Sequence, residues 1–130
     1  MPGYWYDHVH LISSDPVKTA EFYEKMFNAR RVSVSELEAG RVMVELDLNG
    51  SRVLLMSRRV PSETAPGSAG AGDGLEHFGI RTDNLEAAVA DLKAKGVQFK
   101  EEIREVGPGL KISFLLAPEN VLVELLEISS

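Results

Sequence analysis

Apolar and polar residues alternate in the first strand-like stretch of this chain, "YDHVHLI" at residues 6–12. Successive side chains of a strand point to opposite faces, so His8 and His10 share one face while Val9 and Leu11 share the other. Two imidazoles on one face are either incidental and solvated, or they line a site. The rest of the chain bears on this choice.

A helix is predicted directly after this strand, in "DPVKTAEFYEKMFN" at residues 15–28. Asp15 suits the N-cap, and Pro16 suits the first helical position, where its missing N–H breaks no helical hydrogen bond. The apolar residues of the segment recur at helical spacing, namely Val17, Ala20, Tyr23 and Phe27.

Three extended runs follow the helix, at residues 30–37, 41–48 and 52–57. The last two runs are joined by Asn49-Gly50, a strong signal for a two-residue hairpin. Residues 60–74 are rich in Pro, Gly, Ser and Ala. They carry too little apolar surface to order themselves, and we expect a flexible linker there.

The second half of the chain repeats this order of elements. A strand is predicted in "LEHFGIRTD", and a helix follows with Asp83 as N-cap, Glu86 completing a capping box and Gly96 ending the helix. Three more strands are predicted, at residues 97–105, 110–117 and 121–129. The pattern predicts an α+β fold of two tandem β-α-β-β-β modules. A single domain, residues 1–130, would contain module one at about 4–59 and module two at about 75–130.

The composition excludes several functional classes. The chain has 130 residues, of which 44% are hydrophobic and 26% charged, as in a globular protein. A net charge of -6 and the lack of a basic cluster argue against a nucleic-acid partner. We expect neither a membrane span nor a signal peptide, and hence a cytoplasmic protein. Cysteine is absent, which leaves His, Asp and Glu as metal ligands.

Aligning the two modules on their first strands brings four positions into correspondence. His8 aligns with His77, and each follows an acidic residue. Leu54 lies 46 residues after His8, and Glu124 lies 47 residues after His77. Two imidazoles and one carboxylate with open positions suit Fe(II), and also accept Mn, Co, Ni or Zn. We therefore predict that His8, His77 and Glu124 bind one divalent metal ion, of unknown identity.

The strongest support for this metal site is Glu124, because apolar residues surround it in "VLVELLE" at residues 121–127. A charged carboxylate on a covered strand destabilises the fold, or it becomes protonated, unless a cation or a hydrogen-bond donor is near. The alternative is a Glu at a sheet edge with its carboxylate in solvent. Each histidine, taken alone, is also compatible with an ordinary strand residue.

Strand alternation adds further residues to the face of the predicted site. His10 lies about 6.6 Å beyond His8 along the strand, which suits proton transfer better than metal ligation. The predicted catalytic residues are His10, Glu45 and Glu124, with Glu45 as a general base. The alternative for Glu45 is a charge on an exposed strand face. The predicted substrate-binding residues are Met43, Leu54, Ser113 and Leu115, and Asp47 shares the face of Met43.

Three stretches resemble motifs of the vicinal oxygen chelate superfamily, which includes glyoxalase I, methylmalonyl-CoA epimerase, fosfomycin-resistance transferases, extradiol dioxygenases and bleomycin-resistance proteins. They are "DHVHLISSDPVKTAEFYEKMF", "EHFGIRTDNLEAAVADLKAKGV" and "APENVLVELLE". The resemblance implies a cup-shaped, eight-stranded mixed sheet that holds one divalent metal. The family's four ligand positions are here occupied by His8, Leu54, His77 and Glu124.

The resemblance implies three alternative functions. The first is a metal-dependent lyase or isomerase of the glyoxalase/epimerase branch, which chelates a small carbonyl or hydroxy-acid substrate and stabilises an enolate-like intermediate. Leu54 departs from that branch, which usually carries Glu or Gln there. The second is an Fe(II) extradiol dioxygenase, although its closing Tyr is missing here. The third is a metal-free binding protein for a small molecule such as an antibiotic, although such members generally lack the metal ligands.

Two expectations concern assembly and access to the site. Pairing of modules covers exposed sheet edges, so we expect a homodimer, with the cup closed either within one chain or across the dimer. We also expect residues 61–74 to fold over the cup as a lid when substrate binds.

Overall fold

The computed structural model describes residue 3, residues 6–58 and residues 75–129. The chain divides into two compact units, Met1–Ala65 and Pro66–Ser130. Each unit contains one β-α-β-β-β module, so the predicted α+β fold class with two tandem modules is confirmed. The predicted linker and lid lie outside the described residues.

Module one contains four strands and one helix. They are β1 (His8–Ile12), α1 (Pro16–Phe27), β2 (Arg30–Glu36), β3 (Val42–Leu48) and β4 (Ser51–Met56). The strand order is β1-β4-β3-β2, with β1 parallel to β4 and the other neighbours antiparallel. The hairpin predicted at Asn49-Gly50 joins β3 to β4, and both of its residues have positive φ.

Module two repeats this topology. Its elements are β5 (Phe78–Arg81), α2 (Leu85–Ala94), β6 (Gln98–Glu105), β7 (Leu110–Ala117) and β8 (Val121–Ile128). The strand order is β5-β8-β7-β6, and β5 is parallel to β8. The connection from β7 to β8 is a 3-10 turn of three residues, Pro118–Asn120, whereas module one uses two residues at the same place.

Each helix packs on one face of its own sheet and forms the core there. In module one, the buried Tyr23 of α1 faces apolar residues of β3 and β4. In module two, Leu85 and Leu92 of α2 are buried, and the helix packs against β6 and β8. The fully buried apolar strand residues on these two faces are Val44, Leu46, Val53, Leu55, Leu115, Val123 and Leu125. Full burial of each such side chain contributes roughly 1.5–3 kcal/mol.

Asn84 rather than Asp83 caps the N-terminus of α2. The Asn84 side chain accepts a hydrogen bond from the Ala87 N–H at 3.0 Å. The predicted capping box is therefore wrong, and Glu86 instead accepts from Lys111 Nζ at 3.0 Å. The sequence offers Asp and Asn in adjacent positions, and the two residue types are nearly equal as N-caps, so the pattern could not separate them.

This correction makes the two modules match more closely. Asp15 caps α1 as predicted, and its side chain accepts from the Lys18 N–H at 3.1 Å. Asp15 lies seven residues after His8, and Asn84 lies seven residues after His77. The spacing from histidine to N-cap is therefore the same in both modules.

Asn84→Ala should lower the free energy of unfolding by about 1 kcal/mol, because alanine cannot accept the Ala87 N–H. Asp83→Ala is the matched control and should change it by less than about 0.5 kcal/mol. Urea denaturation followed by circular dichroism measures both. A larger loss for the Asp83 variant would show that Asp83 is the cap in solution.

Neither helix in the described part of the chain could cross a membrane. Helix α1 has 12 residues and α2 has 10, whereas a membrane-spanning helix needs about 20 apolar residues. The homodimer stays a prediction.

Candidate functional site

His77 and Glu124 lie together in module two. His77 directly precedes β5, and Glu124 is in the middle of the adjacent strand β8. The Nε2 atom of His77 is 3.5 Å from Oε1 of Glu124. Its Nδ1 atom donates a hydrogen bond to Oε1 of Glu76 at 3.0 Å. Because a carboxylate only accepts, this bond leaves the Nε2 lone pair of a neutral imidazole beside Glu124.

Gly79 leaves room for the Glu124 side chain. The two residues are opposite each other in the β5–β8 pairing. A Cβ atom at position 79 would lie 3.2 Å from Cδ2 of Leu126 and 3.5 Å from Oε1 of Glu124. The Glu124 side chain keeps 20% of its exposure, so its carboxylate is mostly covered and still accessible. Sequence reasoning missed Gly79, because only the strand register places it here.

Phe114 of β7 borders the same pair on the other side. It lies opposite Glu124 in the β7–β8 pairing. Its ring is perpendicular to that of His77, with 5.2 Å between the ring centroids. Such edge-to-face contacts are favourable, so Phe114 restricts the orientation of His77. Sequence reasoning missed Phe114 and selected its two neighbours, Ser113 and Leu115, instead.

Ser113 and Leu115 face the opposite side of the module two sheet. They pair with Leu125 and Val123 of β8, and both side chains are fully buried. The prediction that they share the face of Glu124 and contact substrate there is wrong. The β7–β8 connection is one residue longer than the hairpin of module one, and a shift of one residue moves every side chain to the other face.

In module one, the predicted residues do share one face. His10 is opposite Leu54 in the β1–β4 pairing, and Glu45 is opposite Leu54 in the β3–β4 pairing. His8 lies on the same face two residues before His10. The rings of the two histidines are 6.4 Å apart. Met43 and Asp47 share this face, as predicted from alternation.

His8 has the same local arrangement as His77. Its Nδ1 atom donates a hydrogen bond to Oδ2 of Asp7 at 2.6 Å. The bond leaves the Nε2 lone pair of a neutral His8 available. The hydrogen bond from His8, together with the nearby charge of Arg52, holds the pKa of Asp7 below its usual value.

Among the residues that the structure describes, no three His, Asp or Glu side chains form a group that could hold a metal ion. Module two offers the pair His77 and Glu124, and module one offers His8. Leu54, at the position equivalent to Glu124, has no ligand atom.

Glu45 is ion-paired with Arg52, a residue that sequence reasoning did not single out. Arg52 Nε is 3.0 Å from one carboxylate oxygen of Glu45, and Nη2 is 3.1 Å from the other. The hydrogen bond and charge of Arg52 lower the pKa of Glu45, which makes it a weaker base than predicted. The available signal was the place of Arg52 on the site face, two residues before Leu54.

A sequence model of the Glyoxalase/Bleomycin resistance protein/Dioxygenase superfamily matches residues 5–125. The chain therefore belongs to this superfamily, and the resemblance seen in its motifs is confirmed. The repeated β-α-β-β-β modules described above agree with this membership.

Three curated relatives cover most of the chain. The chain is 30% identical to the uncharacterised protein YwkD of Bacillus subtilis, with 92% of this chain and 94% of that protein aligned. It is 30% identical to human mitochondrial methylmalonyl-CoA epimerase, over 92% of this chain and 71% of the epimerase. It is 26% identical to lactoylglutathione lyase of Schizosaccharomyces pombe over 94% of this chain. It spans only 44% of that lyase, less than half its length.

Solved structures share the fold. A glyoxalase family protein from Enterococcus faecalis superimposes with a TM-score of 0.79 at 22% identity, over 95% of this chain and 97% of that chain. The fosfomycin resistance protein FosX of Listeria monocytogenes, solved with Mn(II) and sulfate, gives a TM-score of 0.73 at 19% identity. That superposition covers 96% of this chain and 93% of FosX. At these identities the likeness establishes a common fold.

Proposed function

We propose that this chain is a divalent-metal-dependent enzyme of the lyase/isomerase branch, in which His8, His77 and Glu124 bind one metal ion. The observation that supports this best is the geometry of His77. Its Nε2 lies 3.5 Å from the Glu124 carboxylate, while its Nδ1–H is held by Glu76. Metal-binding histidines almost always donate their second ring N–H in this way, commonly to a carboxylate.

His8 repeats this arrangement in module one. Its Nδ1–H is held by Asp7, so both proposed imidazole ligands have the same tautomer and the same kind of supporting carboxylate. Two neutral imidazoles and one carboxylate fit Fe, Mn, Co, Ni or Zn. Leu54 replaces the fourth ligand of the family, which leaves coordination positions for substrate.

The chain's own residues supply the rest of the proposed chemistry. A bound divalent ion would polarise two oxygens of a small carbonyl or hydroxy-acid substrate and favour an enolate-like intermediate. We assign proton transfer to His10, which is near His8 and directly opposite Leu54. Glu45, held charged by Arg52, is the second candidate. Met43 and Leu54 would form the apolar part of the substrate surface.

The curated relatives support this class of reaction. One is named as an epimerase and another as a lyase, and the FosX structure contains Mn(II). The small-molecule substrate and the metal of this chain are part of the proposal.

Elemental analysis of protein purified without a chelating tag tests the proposal. We expect one divalent ion per site, and turnover with Ni, Co or Mn that does not require oxygen. Oxygen consumption by the ferrous protein with a catechol-like substrate would instead identify a ring-cleaving dioxygenase. Protein without stoichiometric metal, whose ligand affinity is unchanged by a chelator, would be a metal-free binding protein and would contradict the proposal.

A further inference from the structure

We propose that Arg52 is a positioning residue for the metal site, because it fixes Asp7, which in turn fixes the imidazole of His8. This inference rests on the proposed function, in which His8 is a metal ligand. It adds a residue that touches neither metal nor substrate and acts through two others.

The contacts form a continuous chain. Oδ2 of Asp7 accepts from Nδ1 of His8 at 2.6 Å and from Nη1 of Arg52 at 2.9 Å. A single carboxylate oxygen therefore serves both donors. Arg52 lies opposite His8 in the β1–β4 pairing, so the strand register brings its guanidinium to the start of β1.

Asp7 depends on a second contact to hold its position. It precedes β1, outside the strand, and its side chain is 64% exposed. Water competes for an exposed carboxylate, and a single exposed ion pair orders it weakly. Arg52 is better fixed, because its Nε and Nη2 atoms bind both oxygens of Glu45 in β3. A bidentate pair of this kind fixes the orientation of the guanidinium as well as adding attraction between charges. The Nη1 atom of Arg52 is therefore held where it can donate to Asp7.

Module two holds its histidine by different means. The position equivalent to Arg52 is occupied by Leu122, which cannot donate a hydrogen bond to Glu76. The ring of His77 is restricted instead by the contact with Phe114. His8 should therefore depend on Arg52 while His77 does not, and His77 is an internal control within the same protein.

The first measurement uses the metal-free protein and the nitrogen-15 NMR spectra of its histidine rings at a fixed neutral pH. In the wild type we expect His8 as the Nδ1–H tautomer. In Arg52→Met, which keeps an apolar stem of similar length, we expect His8 to become a mixture of tautomers while His77 is unchanged. Arg104→Met is the matched control, because it removes an exposed Arg–Glu pair of module two.

The second measurement is the affinity for Mn(II) by competition with a chelator. Arg52→Met should weaken binding about tenfold, at the lower end of the range for residues that support metal ligands. Arg104→Met should bind as the wild type does. Arg52→Lys should recover part of the loss, because an ammonium can reach Asp7 but cannot form the fork with Glu45.

The outcomes separate the two proposals. If the wild type binds Mn(II) and Arg52→Met leaves either the His8 tautomer or the affinity unchanged, the role of Arg52 is wrong and the proposed function stands. If the wild type binds no metal, the proposed function fails, and the metal-site role of Arg52 fails with it. A loss of stability alone, with both measurements unchanged, would show a purely structural ion pair.

Discussion

Glu124→Ala should abolish stoichiometric metal binding, and turnover with it. Glu124 is the only anionic side chain among the three proposed ligands, and two neutral imidazoles balance none of the charge of a dication. We expect the affinity to fall by more than the 10–100-fold that is typical for loss of a residue that merely supports a ligand. The Glu124 side chain is already 20% exposed, so its truncation should leave the fold intact.

Glu127→Gln is the matched control for this change. Glu127 is on the same strand and the opposite face, and its carboxylate accepts the Leu85 N–H at 2.7 Å. Glutamine keeps that acceptor, so the variant should bind metal normally. Elemental analysis after dialysis and chelator competition measure both variants. A Glu124→Ala protein that retains one metal ion per site would contradict the assignment.

The turns explain why side-chain faces could be predicted in module one but not in module two. Asn49-Gly50 specifies a two-residue hairpin, so Leu48 pairs with Ser51, and alternation then places Glu45 opposite Leu54. In module two, Ala117 pairs with Val121 across three residues. Glu119 and Asn120 both adopt positive φ in that turn, and a Glu in this conformation is not anticipated from sequence. The added residue reverses the predicted faces.

Local periodicity predicted the helices and strands, because each element is determined by residues close together in the chain. The alignment of His8 with His77, and of Leu54 with Glu124, also came from the sequence pattern, because the order of elements repeats in the two modules. Contacts between distant strands needed the structure. Asp7 and Arg52 are 45 residues apart in sequence, and no pattern within either segment indicates that they meet.

The partial burial of Glu124 was predicted from its apolar neighbours, and its closeness to His77 was predicted only from the alignment of the two modules. The neighbours imply a covered strand on which an isolated carboxylate is unfavourable. The apolar neighbours alone do not identify the group that compensates the charge of Glu124. That group is His77, which precedes β5 and belongs to a distant segment of the chain. The structure identifies the space beside Gly79 and the imidazole of His77 as the environment of this carboxylate.

Leu54→Glu should raise the affinity for a hard divalent ion by about tenfold or more and suppress turnover. Leu54 is equivalent to Glu124, lies opposite His10, and is nearly buried at 8% exposure. A carboxylate there would supply a fourth ligand and occupy the place proposed for substrate. Without metal the same carboxylate lies opposite Glu45. Like charges in opposite positions of adjacent strands are unfavourable, and burial of the group adds about 1–3 kcal/mol of destabilisation.

The metal should therefore stabilise the Leu54→Glu variant more than it stabilises the wild type. Thermal unfolding with and without Mn(II) measures this difference, because an ion that binds only the folded state raises Tm by an amount that grows with the logarithm of its affinity. Leu54→Met is the control, since it keeps volume and apolarity and should cost less than about 1.5 kcal/mol. If Leu54→Glu changes neither metal affinity nor turnover, and Glu124→Ala still binds metal at full stoichiometry, the proposed site is wrong. His8 and His10 would then be ordinary strand residues.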